Sequence, residues 1–512
     1  MAPSVTNTLL IRGRWIFTGT ATYTDAAVAV QGDTILEVGE WLSLQSKYPN
    51  SEVLGSSQYA VMPGLINAHH HSKGVPTSLQ GIDDDFLEPW LFSLIGLRSQ
   101  DPTLKTLLSI AELLRSGVTT VLDVATIGGS VEASLTDLKG MLQAYEQAGM
   151  RVALAPGAIY KSFLVHGGTE QDEAFLASLP NSLRQQVKSQ VVRSQSLTPE
   201  DYIAVISDLV RSYQSHPHIE VWFGPPGPQW VEDDLMVQVA EAAASLNIGI
   251  QTHLTESFYE KLVGPRFYGR SMVAHLHQLG VLSPRFSLAH GVWLTEEEIA
   301  ILAETGASLS HNPSSNLRLR AGIAPLNALR AAGVTVGLGM DGTALGDDED
   351  MFAEMRLAAR LHRSPQMKDP APSLIDSFQM ATQGSAKLLL KENTLGQIAP
   401  GYKADLVLVK CDRITWPWLA PEADPLHVVL MRARAADVDT VLINGQIVLQ
   451  AGQPTQFDLQ AVGQAIAEQL NAASDRDQYR ALAEAVRPHL KRWYADWEVF
   501  PLTTYTAFNS RV

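Results

Sequence analysis

Apolar and polar positions follow two different rhythms along this chain. In residues 8–60 the apolar runs are short and broken by turn residues: TLLIRG, RWIFTG, AAVAVQGD and TILEVG. This is the pattern of β-hairpins, and Gly32-Asp33 predicts a tight turn between two of the strands. Residues 394–450 repeat the style in LGQIAPGYKADLVLVKC and DTVLINGQIVLQAG. Neither segment makes a comfortable domain alone, so the two are expected to pack together as one small composite β-sandwich.

Between them the rhythm changes. Runs suited to buried parallel strands occur at Val61–Ile66, Val118–Val124, Arg151–Pro156, Ile219–Phe223, Ile248–Leu254, Phe286–Ala289, Ala307–Ser310 and Val334–Leu338. Helical periodicity fills the intervals, as in Leu104–Arg115, Leu135–Ala148, Pro199–Tyr213, Leu235–Ala244, Ser271–Leu279, Glu296–Thr305 and Pro325–Ala332. Thr295 ahead of three glutamates predicts a helix N-cap with acidic residues in the first turn. Eight strands alternating with helices predict an α/β fold of the (β/α)8 TIM-like barrel type. An open doubly wound sheet is the alternative, but no Gly-x-Gly-x-x-Gly turn follows the first strand. Residues 371–390 are expected to add a helix, and 457–495 an amphipathic helical segment packed on the barrel or on a neighbouring subunit. The expected division is 1–60 with 392–455 for the sandwich, 61–391 for the barrel and 456–512 for a C-terminal helical extension.

Composition narrows the partners. A net charge of −16 argues against nucleic acid and anionic membrane surfaces, which call for basic faces. The single cysteine, Cys411, excludes an internal disulfide and fits a reducing cytoplasm. The first residues show no signal-peptide pattern, and no apolar run reaches the ~18 residues of a membrane span. A cytoplasmic protein acting on a small molecule is the expectation.

The candidate chemistry collects at one end of the expected barrel. Catalytic side chains of such barrels stand where strands end and loops begin. The first run leads into NAHHHS, where strand alternation puts His69 and His71 on one face and His70 on the other. The fifth run ends in His253, with Glu256 three residues on; the sixth ends in His290, the seventh in His311-Asn312 and the eighth in Asp341. One such histidine is readily explained as a loop or packing residue. Five strand ends delivering ionisable groups at the same end are much harder to explain that way. His69, His71 and His253 offer nitrogens and Asp341 a hard oxygen to a catalytic divalent metal, which wants three or four protein ligands and an open position for water. Such a metal lowers the pKa of its water from about 15.7 towards about 7. Glu256 lies just past its strand end and suits a general acid; His290 suits orienting the water or polarising the group attacked. Trp90 and Trp293 follow strands 1 and 6 and are candidates to stack on a planar ring. Gln80 is a candidate hydrogen-bonding specificity group. His311 and Asn312 are candidates near the substrate, with His311 equally suited to bracing its own loop. The acidic run Asp347–Asp350 reads as a solvated helix start.

The motifs PGLINAHHH, ELLRSGVTTVLD, HLTES, AHGVWL, SHNPSSNLRL, GLGMDG and LGQIAPGYKADLVLV together resemble the amidohydrolase superfamily. The resemblance is to the branch of cytosine, guanine, 8-oxoguanine and adenosylhomocysteine deaminases and triazine hydrolases, and it covers about residues 8–450. It implies the barrel with its composite sandwich and one metal ion, zinc first and iron second, held by His69, His71, His253 and Asp341. It further implies Glu256 and His290 as catalytic partners and a homodimer or higher homo-oligomer. Two-metal relatives place a lysine after strand 4; here IEVWFGPPGPQW has none, so one metal is expected. The same segment lacks the histidine of several nucleoside-type members, which argues against an adenosylhomocysteine-type substrate. Met340 precedes Asp341 where Thr or Ser is frequent, and GTALGDDEDMFAEMR is unusually acidic. The implied reaction is hydrolytic deamination of an amino-substituted nitrogen heterocycle, with ammonia released. The alternative is hydrolysis of a cyclic amide, or displacement of chloride from a triazine-type ring, by the same site.

Overall fold

The chain changes sheets at Gly64. The computed structural model describes residues 8–497 apart from 162–163, 192–196, 364–366, 368–370 and 474–475. In it, β1 (Leu9–Phe17), β2 (Thr22–Gln31), β3 (Thr34–Glu40) and β4 (Glu52–Pro63) precede this glycine, and β5 (Leu65–His70) follows it. A Cβ on Gly64 would lie 2.1 Å from Thr119 Oγ1, so the close approach admits only glycine. The expected first barrel strand is therefore divided. Val61 and its neighbours belong to β4, and the barrel strand begins at Leu65.

The chain ends supply one eight-stranded sheet. After β5 come β6 to β12, described below, and then β13 (Leu406–Lys410), β14 (Val438–Ile443), β15 (Gln446–Gln450) and β16 (Gln453–Pro454). The strand order is β16-β15-β14-β13-β4-β1-β2-β3. Two stacked sheets were expected; the ladder is instead continuous, because the long β4 pairs with β1 on one side and β13 on the other. Ile11, Val28, Leu406 and Leu442 share a small core of its own. Gly32, at φ +61°, and Asp33 turn β2 into β3.

The middle of the chain forms two four-stranded parallel sheets. One contains β5, β6 (Val118–Thr126), β7 (Arg151–Gly157) and β8 (Ile219–Val221). The other contains β9 (Ile250–Leu254), β10 (Phe286–His290), β11 (Ser308–His311) and β12 (Val336–Leu338). Single parallel bridges, Phe223 to Ile250 and His70 to Asp341, span the two seams, without a continuous closed ladder. The strands are almost wholly buried, as parallel strands flanked by helices are. Helices fall between them at Pro102–Arg115, Val131–Ala148, Pro199–Tyr213, Asp233–Leu246 and Glu296–Thr305. Thr295 and Glu298 cap the last of these reciprocally, each side chain accepting from the other's backbone N–H.

The C-terminal helices Leu459–Ala472 and Asp477–Ala495 pack back on this unit. Arg98 donates to the Leu470 carbonyl, Lys491 pairs with Asp85 at 2.8 Å, and the Tyr494 hydroxyl accepts from His166 N–H at 3.0 Å. The loops after β5 and β7 are thereby tied to the tail. No helix among the described residues is long and apolar enough to cross a membrane.

One ion pair joins the parallel strands to the eight-stranded sheet. Arg151, at the start of β7, donates to both Asp405 oxygens, at 3.2 and 3.1 Å, and to Asn444 Oδ1 at 2.6 Å. Asp405→Ala leaves this largely buried guanidinium without its carboxylate, and a loss of about 3–5 kcal/mol is expected. Urea unfolding checks it; a loss under about 1 kcal/mol would mean that the junction is not held by this pair.

Candidate active site

Four histidines converge at the C-terminal strand ends, and each has its Nδ1 already engaged. His69 Nδ1 lies 2.8 Å from Gln251 Oε1, His71 Nδ1 2.9 Å from the Val124 carbonyl, His253 Nδ1 2.7 Å from the Pro226 carbonyl and His290 Nδ1 2.9 Å from Asn316 Oδ1. All four partners are oxygen acceptors, so Nδ1 carries the proton and Nε2 the lone pair. Burial lowers the pKa of His69, His253 and His290 to about 4 and that of His71 well below its usual value, so the rings are neutral at pH 7.

Those lone pairs face one another. His71 Nε2 is 3.2 Å from His253 Nε2. Nε2 of His69 and of His290 are buried with no hydrogen-bond partner. Asp341 Oδ1 stands 3.6 Å from His69 Nε2 and 3.4 Å from His71 Nε2. Ligand atoms of His69, His71 and His253 lie within 4.8 Å of one another, as do those of His69, His290 and Asp341. Convergent lone pairs and a carboxylate repel unless a cation sits among them. The donor set, imidazole nitrogen with carboxylate oxygen, fits zinc or iron. Burial works to raise the Asp341 pKa, but His71, His69, Lys73 and His290 hold it well below the usual range, as a carboxylate. Its Oδ2 accepts from the Ser315 hydroxyl at 2.5 Å.

The backbone is strained where this geometry is made. His290 has φ +76° and Asp341 φ +62°, a region costing a non-glycine residue of order 1 kcal/mol. Flanking hydrogen bonds hold both turns: Gly291 N–H to Leu254 O at 3.0 Å, Asp341 N–H to His69 O at 2.9 Å and His71 N–H to Asp341 O at 2.8 Å.

Glu256 is buried beside the centre, its Oε2 3.4 Å from His290 Nε2 and its Oε1 without a partner. Burial first, then the charges of Glu260, Asp341 and Glu88, push its pKa well above the usual range, which favours the protonated carboxyl. Glu260 is fully engaged, accepting from Glu256 N–H at 2.7 Å and from Gln229 Nε2 at 2.8 Å. Glu88 accepts from the Ser257 hydroxyl and faces His166 Nε2 at 3.3 Å, while its Oε2 is buried and unpartnered.

The other expected site residues are placed differently. Gln80 is an internal brace: its amide donates to the Val75 carbonyl at 3.0 Å and its oxygen accepts from Arg98 N–H at 3.2 Å. Trp293 donates to the Ala321 carbonyl at 2.8 Å and packs on Phe258, which anchors it in the loop wall. His311 pairs with His362, Nε2 to Nε2 at 2.9 Å, and does not join the four converging rings. Asn312 accepts from the Ser310 hydroxyl at 3.0 Å and touches His290 Nδ1 at 3.3 Å, behind the centre. The Trp90 ring face is covered by the Lys73 ammonium at 4.5 Å. His70 is buried away from the four converging rings, its Nε2 3.1 Å from both Glu349 oxygens. Burial would lower its pKa, but Glu349 and Asp123 raise it. The acidic run does start a helix, Met351–Leu361, which Asp350 caps, but it is not merely solvated: Glu349 serves His70 and Asp347 pairs with Arg318. Gln251, Ser315, Asn316, Glu88 and Lys73 escaped the sequence reading. Ser315 and Asn316 lie inside the quoted motif SHNPSSNLRL, which was the one signal for them.

A cleft of about 720 Å³ lies at the opposite strand ends, lined by Val221, Trp222, Ile248 and Leu389 among others, and none of the converging groups reaches it.

Comparison with known proteins gives a consistent match. Residues 60–448 match the amidohydrolase family. A 5-methylthioadenosine/S-adenosylhomocysteine deaminase of Desulfitobacterium hafniense is 31% identical over 449 residues, covering 86% of this chain and 92% of that one. An 8-oxoguanine deaminase of Pseudomonas aeruginosa is 31% identical over 464 residues, covering 88% and 96%. Among solved structures, an adenosine deaminase from Xanthomonas campestris with bound zinc superposes with a TM-score of 0.75 at 27% identity, covering 92% of this chain and 98% of that one.

The Gln251 side chain is the acceptor that turns His69 Nε2 inward, and its own amide is held by Ala68 O and the Ser287 hydroxyl. Gln251→Leu is expected to weaken zinc affinity about 10–100-fold with the thermal transition of the metal-free protein little changed. Competition against a chelator measures it; unchanged affinity would show that the tautomer of His69 is set elsewhere.

Proposed function

The chain belongs to the amidohydrolase family, and from that premise we propose that it is a zinc-dependent deaminase in which His69, His71, His253 and Asp341 hold the metal and Glu256 and His290 act on the substrate. The reaction is hydrolytic deamination of an amino-substituted nitrogen heterocycle. The observation that carries the residue assignment is the convergence of four imidazole lone pairs and one carboxylate beside a buried carboxyl group whose pKa burial raises. Relatives named as deaminases of adenine nucleosides and of 8-oxoguanine support the choice of reaction.

The metal, when bound, supplies the Lewis acidity that makes a water molecule reactive at neutral pH. Asp341 accepts the proton of the attacking water, its ionised state favoured by the surrounding rings and Lys73. Glu256 donates its proton to the ring nitrogen beside the amine-bearing carbon, which makes that carbon electrophilic. His290 Nε2, held in place through Asn316, orients the water on its line of attack. The new C–O bond forms, the amine takes the proton held by Asp341, the C–N bond breaks and ammonia leaves, while the proton of the added hydroxyl passes to Glu256 as the ring carbonyl forms. Chemistry belongs to residues 65–391 in this reading, with the strands up to Pro63 and those after residue 392 as the supporting β unit and the helices Leu459–Ala472 and Asp477–Ala495 as the extension.

The metal-loaded protein is expected to release ammonia from at least one member of a panel of aminated purines, pyrimidines, pterins and triazines. Release from none would overturn the reading. Glu256→Gln is expected to lower kcat by about 10²–10⁴ with zinc content unchanged; loss of zinc would instead make Glu256 a ligand. A raised carboxyl pKa means that the proton is held to higher pH than usual and lost as pH rises through that pKa. The wild-type rate therefore falls on the alkaline side, and a rate limb rising there would contradict Glu256 as the acid.

A further inference from the structure

We propose that Lys73, with Trp90, forms a subsite for a negatively charged oxygen on the heterocycle, so that the enzyme prefers anionic substrates to their neutral counterparts. The proposal rests on the deaminase reading and deepens it by naming a substrate class.

Lys73 lies two residues beyond His71, in the loop after β5. Its Cδ and Cε pass 3.3 Å from the point where a Cβ on Gly342 would stand, immediately beyond Asp341. Its ammonium then lies 4.5 Å from the centroid of the Trp90 ring. The side chain thus runs along the rim from β5 to the end of β12 and stops above an indole that is only 3% exposed.

Several other cations near this rim are committed. Arg318 pairs with Asp84 at 2.8 Å and with Asp347, and donates to the Ala344 carbonyl at 2.6 Å. Lys491 and Arg487 pair with Asp85. His70 serves Glu349. The nearby acids are spoken for as well: Asp341 faces His69, His71 and Ser315, and Glu256 faces His290. Among the described residues no carboxylate lies within ion-pair distance of Lys73. Beside it, Trp90 Nε1 is buried with no hydrogen-bond partner. An N–H shielded from water without an acceptor is costly; an anionic oxygen supplies that acceptor and a counter-charge for the half-buried Lys73 ammonium. The indole offers the cation its face, so it is a platform for Lys73, and the ring of the substrate stacks elsewhere.

The charged oxygen can be an exocyclic carboxylate or an ionised ring-oxo group, and two probe pairs separate them. Equilibrium binding is measured on zinc-loaded protein for pterin-6-carboxylate against pterin-6-carboxamide, and for ammelide against melamine at mildly alkaline pH. In at least one arm the wild type is expected to bind the anionic member about tenfold or more tightly, the scale of one charge-assisted contact. Lys73→Met and Lys73→Gln are expected to bring that ratio within about twofold of one, and Lys73→Arg to keep most of it. Circular dichroism and zinc content identify any variant that has lost its fold or metal, and either neutral variant suffices. A wild-type ratio near one in both arms, lack of binding to every probe, or a preference that survives in a folded Lys73→Met overturns the proposal. Ammonia release is followed on the same samples. Release without anion preference removes this inference alone; Lys73-dependent preference without release from any heterocycle removes the deaminase reading alone.

Discussion

The hydrogen bonds that engage Nδ1 of His69, His71, His253 and His290 are the constraint on which the rest of the structure depends. An imidazole offers one lone pair, and which nitrogen carries it is decided by what the other nitrogen touches. Here the deciding oxygens come from four separate places: a side chain on β9, the carbonyls of Val124 and Pro226, and an amide in the short helix after β11, Pro313–Arg318. Each needs its own strand at the right height. The register of the two parallel sheets is therefore part of the site, and a slip of one residue would turn the inward nitrogens out.

Concentrating like groups in a buried space carries a cost, and the surroundings show where it is offset. Four neutral rings avoid the expense of buried charge. His290 and Asp341 take up left-handed backbone at the strand ends, which flanking ladder bonds hold in place. The loops that cover the site are fastened by acids paired with bases: Asp347 and Asp84 with Arg318, Glu349 with His70, Asp85 with Lys491. The acidic loop after β12 is then a set of counter-charges for particular partners, and the negative charge of the whole chain says little about it.

What was legible in the sequence was local. Apolar runs bounded by turn residues identified the strands, and helical spacing their partners to within a few residues, as at Pro199–Tyr213 and Glu296–Thr305. The His-x-His spacing separated His69 and His71 from His70 because strand alternation acts between neighbours. What was hidden depends on contacts distant in the chain. Gln251 orients His69 across 182 positions, Glu349 meets His70 across 279, and β4 pairs with β13 so that one sheet runs where two were expected. Gln80 illustrates the opposite failure. Its position after strand 1 suggested a specificity group, yet the turn at Thr77–Ile82 closes on itself and consumes its amide.

The same distinction explains the tail. Nothing in the periodicity of residues 457–495 says which surface their apolar stripe covers. In the fold it covers the loops that wall the site: Tyr494 and Trp497 pack round His166, whose Nε2 faces Glu88. Glu88 is one of the charges that raise the pKa of Glu256. The proton on Glu256 thus depends on dry, well-packed surroundings to which the last helix contributes, although that helix brings no group to the converging histidines. Loss of the tail would admit water to a cluster whose chemistry rests on its exclusion.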